Sequence, residues 1–129
     1  MLQHIKNWWL ANSFFVAIAI SFVIVVLSLI PTTALLSIDV KISDKFLHSI
    51  AYVGLMWVWL IAFRGKERIK TGIILLVLLT FFGIILELLQ GEMTTYRTPD
   101  WRDVLANFTG LLVGFFTFKV MFRLVFKGK

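Results

Sequence analysis

Residues 72–89 read GIILLVLLTFFGIILELL, a run in which Glu87 is the only charge, and its reading decides the fold. A helix needs about 20 mainly apolar residues to cross a hydrocarbon core of about 30 Å. In that medium a backbone must satisfy its own N–H and C=O groups, which an α-helix does within a single segment. Residues 72–89 are therefore expected to be a membrane-spanning helix. Three other apolar runs come close to the same length, at 8–30, 46–63 and 104–122, each bounded by polar or turn residues. The expectation is an all-α, integral membrane four-helix bundle made of one domain, residues 1–129.

The composition agrees. Of 129 residues, 60% are hydrophobic and 16% charged, and the mean hydropathy is +0.92, which leaves too little polar surface for a water-soluble domain. The first apolar run exceeds a signal-peptide core and lacks a small-x-small cleavage site, so it is expected to remain as an anchor. Trp8, Trp9, Trp57, Trp59 and Trp101 lie mostly near the ends of the runs, where indoles favour the interface. The chain has no cysteine, which excludes disulfides and thiolate metal sites.

The net charge of +6 resides in short segments between apolar runs, not along an aromatic-studded polar face, so nucleic acid is not an expected partner. The basic residues act instead as topology signals. Nine lie with the N-terminus, the second loop and the C-terminal end: Lys6, Arg64, Lys66, Arg68, Lys70, Lys119, Arg123, Lys127 and Lys129. Four lie in or beside the first and third loops: Lys41, Lys45, Arg97 and Arg102. The asymmetry places both termini in the cytoplasm and the first and third loops outside. The inner rim is then basic, as anionic lipids favour.

Polar residues inside spans carry the functional expectation, because ionisable groups in a membrane are costly and usually face a partner or a water-filled cavity. Asp44, His48 and Tyr52 are spaced i, i+4, i+8 and share a helix face at the start of the second span, with Lys45 beside them. Asp44 also suits a helix cap. Gly83, Glu87 and Gln90 form a stripe at the outward end of the third span. A carboxylate at the bilayer centre costs about 2.5–3.5 kcal/mol, so Glu87 must be paired, hydrated or protonated, and Lys45, Arg97 and Arg102 are the available cations. Before the fourth span, Thr98 as N-cap, Pro99 at the first helical position and Asp100 in the first turn read as a helix start. Asp103, Asn107, Gly110 and Gly114 follow on one face, the two glycines permitting a close helix approach. The three stripes are expected to converge around one cavity near the outer surface, since lipid-facing acids and amides would be left unsatisfied.

Together these residues resemble the VanZ-like family. The matching pattern is Asp44-Lys45-x-x-His48-x-x-x-Tyr52, then Glu87-x-x-Gln90, then Arg97-x-x-Asp100-x-x-Asp103-x-x-x-Asn107-x-x-Gly110-x-x-x-Gly114, covering residues 44–114. The family's namesake is associated with tolerance to the lipoglycopeptide teicoplanin, so the resemblance implies a bacterial cytoplasmic-membrane protein with an envelope role.

Four functions are compatible with these residues. The first is a site that binds or modifies an envelope lipid or glycan head group, with Lys45, Arg97 and Arg102 holding phosphate or carboxylate and Tyr52, Gln90, Asp100 and Asn107 completing the ligand contacts. The second is an enzyme in which Asp44 orients His48, and His48, Glu87 and Asp103 supply proton-transfer groups. No nucleophile signature accompanies them: Ser49 adjoins His48 but points away on a helix, and no Gly-x-Ser-x-Gly elbow is present. The third is a metal site of His48, Glu87 and Asp103, the least favoured, since no HExxH and no second outward histidine exists. No cofactor is expected. The fourth is a structural or accessory subunit, with a second copy or another membrane protein as partner and membrane lipids around it.

Overall fold

The computed structural model describes residues 1–30, 44–63, 69–95 and 97–126. Among these, every regular element is a helix: α1 (Leu2–Leu29), α2 (Asp44–Ala62), α3 (Ile69–Met93) and α4 (Trp101–Phe126). All four are long and apolar enough to cross a membrane, which makes the protein a multi-pass membrane protein. Each helix covers its expected span with ends shifted by a few residues. α1 begins six residues earlier and α3 extends at both ends, because helical hydrogen bonding continues past the apolar boundary into the interface. Lys41, Arg64, Lys66, Arg68, Lys127 and Lys129, on which part of the expected orientation rests, lie outside the described residues.

Local sequence explains the ends. Ile30 precedes Pro31, whose ring disfavours the helical region for the residue before it, and Ile30 is extended at φ −84°, ψ 140°. At the start of α4 the expected order is corrected. Asp100, not Thr98, is the cap: its Oδ1 accepts the Arg102 N–H at 2.9 Å and its carbonyl accepts the Asp103 N–H at 3.0 Å. Pro99 lies before the helix, which begins at Trp101. An Asp side chain reaches the second N–H of a helix better than a Thr two residues upstream can.

The helices alternate in direction. α2 and α4 form the most extensive pair and run parallel, while α1 packs on α2 and, less, on α3. The α2–α4 approach is set by Gly110, where a Cβ would overlap the Ser49 carbonyl, and by Gly114 against Val53 and Met56. Bonds cross the seam where these backbones come close: Ser49 Oγ donates to the Ala106 carbonyl at 2.9 Å, and Trp57 Nε1 donates to the Gly114 carbonyl at 3.1 Å. The expected Gly-x-x-x-Gly contact is thus made within the chain. Leu55, Met56 and Leu111 fill the core at 0% exposure.

Burial is inverted with respect to a water-soluble protein. Phe15 is 71% exposed and Phe22 66%, whereas Glu87 is 5% and Gln90 2% exposed. α3 shows why periodicity alone hides this: it buries Leu75, Leu79, Gly83, Leu86, Glu87 and Gln90 and turns Ile74, Leu78, Phe81, Ile85 and Leu88 outward. Both faces are apolar because lipid is as apolar as the core, and only the polar residues distinguish the inward face.

A candidate polar site at one end of the bundle

The N-terminal ends of α2 and α4, the C-terminal half of α3 and the C-terminal turn of α1 meet at the same end of the bundle. Asp44, Lys45 and His48 come from the first two turns of α2. Lys45 Nζ reaches across to α4, donating to Asp103 Oδ1 at 2.9 Å and to Asp100 Oδ2 at 3.2 Å. Asp44 Oδ2 instead accepts from the Arg97 guanidinium at 2.6 Å, which ties the α3–α4 connection over α2. His48 lies one turn deeper with its Nδ1 3.1 Å from Asn107 Oδ1. With that amide oxygen as acceptor, His48 donates through Nδ1, which leaves Nε2 for other partners. Nε2 stands 3.8 Å from Asp44 Oδ2.

Two expectations are altered by this geometry. Asp44 was expected to orient His48, but Asn107 holds the imidazole by a hydrogen bond and Asp44 is engaged by Arg97. Glu87 was expected to pair with a cation if structural; its Oε1 accepts the Asp100 backbone N–H at 2.7 Å. A buried carboxylate thus receives an otherwise orphan N–H at a helix start, where the helix dipole also favours negative charge. The same contact locks α3 to the cap of α4.

The remaining site residues divide. Tyr52 is buried against Gly83, where a Cβ would stand 3.2 Å from both its Cε1 and its hydroxyl and 3.4 Å from Asn107 Nδ2. The i, i+4, i+8 stripe of α2 therefore faces α3 and α4 as expected. Gln90 Nε2 donates to the Ser28 carbonyl at the end of α1, 2.7 Å away, and its buried Oε1 has no hydrogen-bond partner among the described residues. Sequence reading did not find Ser28, because a backbone carbonyl leaves no mark in a sequence. Arg102 is not brought into the cluster: it is exposed, with its guanidinium 5.7 Å from the Trp101 ring centroid.

The cluster is graded in depth. The side chains of Asp44, Lys45 and Asp100 are 46%, 43% and 40% exposed, His48 14% and Asp103 8%. At the mouth, the Arg102 N–H first and the Lys45 ammonium next hold the Asp100 carboxyl below the usual carboxylate range. Behind it lie Glu87, Asn107 and Tyr52, all buried. The arrangement can hold a polar group at the mouth, offer it acceptors and donors, and move a proton through His48.

No family model, curated protein or solved structure matches the chain. The reading of the site accordingly rests on its own residues.

Proposed function

We propose that the protein is a VanZ-like multi-pass protein of a bacterial cytoplasmic membrane that binds or modifies the polar head group of an envelope lipid or glycan intermediate, with both termini in the cytoplasm. The observation that carries this reading is the graded opening. An otherwise apolar bundle collects cations, carboxylates, an imidazole and two amides at one end, with Asp44, Lys45 and Asp100 half-exposed above buried Glu87, Asp103 and Asn107. Packing four apolar helices requires none of these groups, since each costs free energy to take out of water unless paired. Of the residues on which the VanZ-like resemblance rests, Asp44, Lys45, His48, Glu87, Arg97, Asp100, Asp103 and Asn107 bond to one another at that end, whereas Gly110 and Gly114 lie along the α2–α4 seam and Gln90 turns to Ser28. The alternative, an accessory subunit, would seal the same polar face against a larger membrane partner; the Gly-x-x-x-Gly pair is taken up by α2 within the chain.

The test compares Glu87→Gln and His48→Asn with the parent in a deletion strain, scoring membrane abundance, thermal stability, co-purifying lipid and teicoplanin susceptibility. Stable, abundant variants that lose lipid and fail to complement support the reading. Variants that bind and complement like the parent refute it, and variants that disappear from the membrane make the cluster structural. Orientation is tested in this cysteine-free chain by His4→Cys and Thr95→Cys, both exposed positions. In intact cells an impermeant thiol reagent is expected to label Thr95→Cys alone. Labelling of His4→Cys alone would turn the site toward the cytoplasm.

A further inference from the structure

Three side chains of the polar end satisfy more than an ion-pair network requires. Asp44, His48 and Asp103 each present a ligand atom, and the three atoms lie within 4.8 Å of one another. Donors that share one tetrahedral ion at about 2.0–2.2 Å stand about 3.3–3.6 Å apart, so the widest edge closes by about an ångström when an ion binds. The set differs from the one that the sequence suggested, because Glu87 is committed to the Asp100 N–H and Asp44 takes its place.

The surroundings fit an ion as well as the donors do. Metal-bound histidines donate their second ring N–H to an oxygen acceptor, which fixes the tautomer, and bound carboxylates are themselves hydrogen-bonded. Here His48 Nδ1 meets Asn107 Oδ1, and Asp44 Oδ2 accepts from Arg97. His48 Nε2, the nitrogen free of Asn107, is on the side of Asp44. Charge is a separate observation. Among the described residues the carboxylates of Asp44, Glu87, Asp100 and Asp103 face the cations of Lys45 and Arg97, with the exposed Arg102 charge acting on Asp100 from outside, so negative charge is in excess. Excess charge is expensive near a membrane, and a bound cation offsets it.

We infer that Asp44, His48 and Asp103 form a binding site for a divalent transition ion of the zinc or manganese type, with open coordination positions at the half-exposed mouth that take an anionic oxygen of the head group. One imidazole nitrogen with two carboxylates suits such an ion, and three protein ligands leave room for an exogenous one. The inference rests on the proposed head-group site for the identity of that exogenous ligand, but not for the ion itself. Lys45, on a flexible and half-exposed stem, then competes with the ion for Asp103.

The test uses the full, tag-free chain in nanodiscs, stripped with a chelator and titrated with Zn²⁺ and, separately, Mn²⁺, the latter followed by its paramagnetic resonance signal. The parent is expected to take up one ion per chain and to melt at a higher temperature when loaded. Asp44→Asn and His48→Gln should each weaken uptake about tenfold or more, Glu87→Gln should retain it, and Lys45→Gln should tighten it. A purely structural ion pair predicts no gain from the last change. Absence of saturable uptake by the parent overturns the inference, as does unchanged affinity in both Asp44→Asn and His48→Gln. If those two variants fail to fold, parental uptake and the Lys45→Gln gain decide. Broadening of the phosphatidylglycerol phosphorus signal by bound Mn²⁺ supports the open positions. Head-group binding that persists in chelator with no metal uptake removes the ion and leaves the proposed function standing. Metal uptake with no phosphorus broadening keeps the ion and counts against the head-group reading.

Discussion

The two ends of the bundle are built from different chemistry, although the same helices form both. At the polar end α2, α3 and α4 are joined by Lys45 to Asp100 and Asp103, Arg97 to Asp44, His48 to Asn107 and the Asp100 N–H to Glu87. At the opposite end the contacts are rings. Phe14 meets Trp59 edge-on at 5.7 Å, Trp57 meets Phe118 at 6.5 Å, and Phe118 stacks on Phe122 at 5.9 Å. Few directional bonds accompany them: Trp59 Nε1 to Ser21 Oγ at 3.0 Å and Trp57 Nε1 to Thr117 Oγ1 at 3.0 Å. Charge enters there through Lys119, whose ammonium lies 4.8 Å from the Phe115 ring centroid. The two ends are thus held by different forces, ion pairs and amide or backbone hydrogen bonds at one and ring packing at the other.

The largest effect is expected at the seam that both ends share. Gly110→Ala places a Cβ on the Ser49 carbonyl, and a backbone atom cannot step aside unless α2 and α4 part. We expect a loss of about 3 kcal/mol in detergent unfolding, together with loss of ligand binding, because Lys45 and His48 would no longer reach α4. Near-parental unfolding would mean that the α2–α4 seam does not position the site.

A smaller and more selective effect is expected at the aromatic end. Gly72→Ala directs its Cβ at the Phe115 ring, a side chain that can turn away, at a cost of about 1 kcal/mol. Binding at the polar end should be unaffected, as read by lipid or ion titration of the folded variant. Coupled loss of binding would show that the two ends act as one unit.

The smallest effect concerns pH. In the folded chain the Asp100 carboxyl sits below its ordinary range, chiefly through the Arg102 N–H and then through Lys45. Its contribution is then fully present above the unfolded carboxylate pKa of about 3.9 and is lost as pH falls through the lower folded value. The stability difference between the parent and Asp100→Asn should be constant near neutral pH and shrink below about pH 4. Solvent screening at this half-exposed residue keeps the difference small. A difference that instead grows on acidification would contradict the assigned partners.

Sequence alone determined the class of fold. Four runs of sufficient length and hydropathy leave a chain in lipid no other way to satisfy its backbone, and the residues able to do chemistry were visible because each is out of place in such a run. Helical spacing also placed Asp44, His48 and Tyr52 on one face, since a period of 3.6 residues is local geometry. Only the tertiary structure decided the partners. Which carboxylate Lys45 takes, that Asn107 rather than Asp44 holds His48, that Glu87 accepts the Asp100 N–H, that Gln90 reaches the Ser28 carbonyl and that Arg102 stays outside all depend on how helices distant in sequence are rotated and offset against one another. Hydrophobicity carries no record of that rotation, because lipid and core are equally apolar. It is set by close contacts such as Gly110 on Ser49 and by the polar bonds themselves.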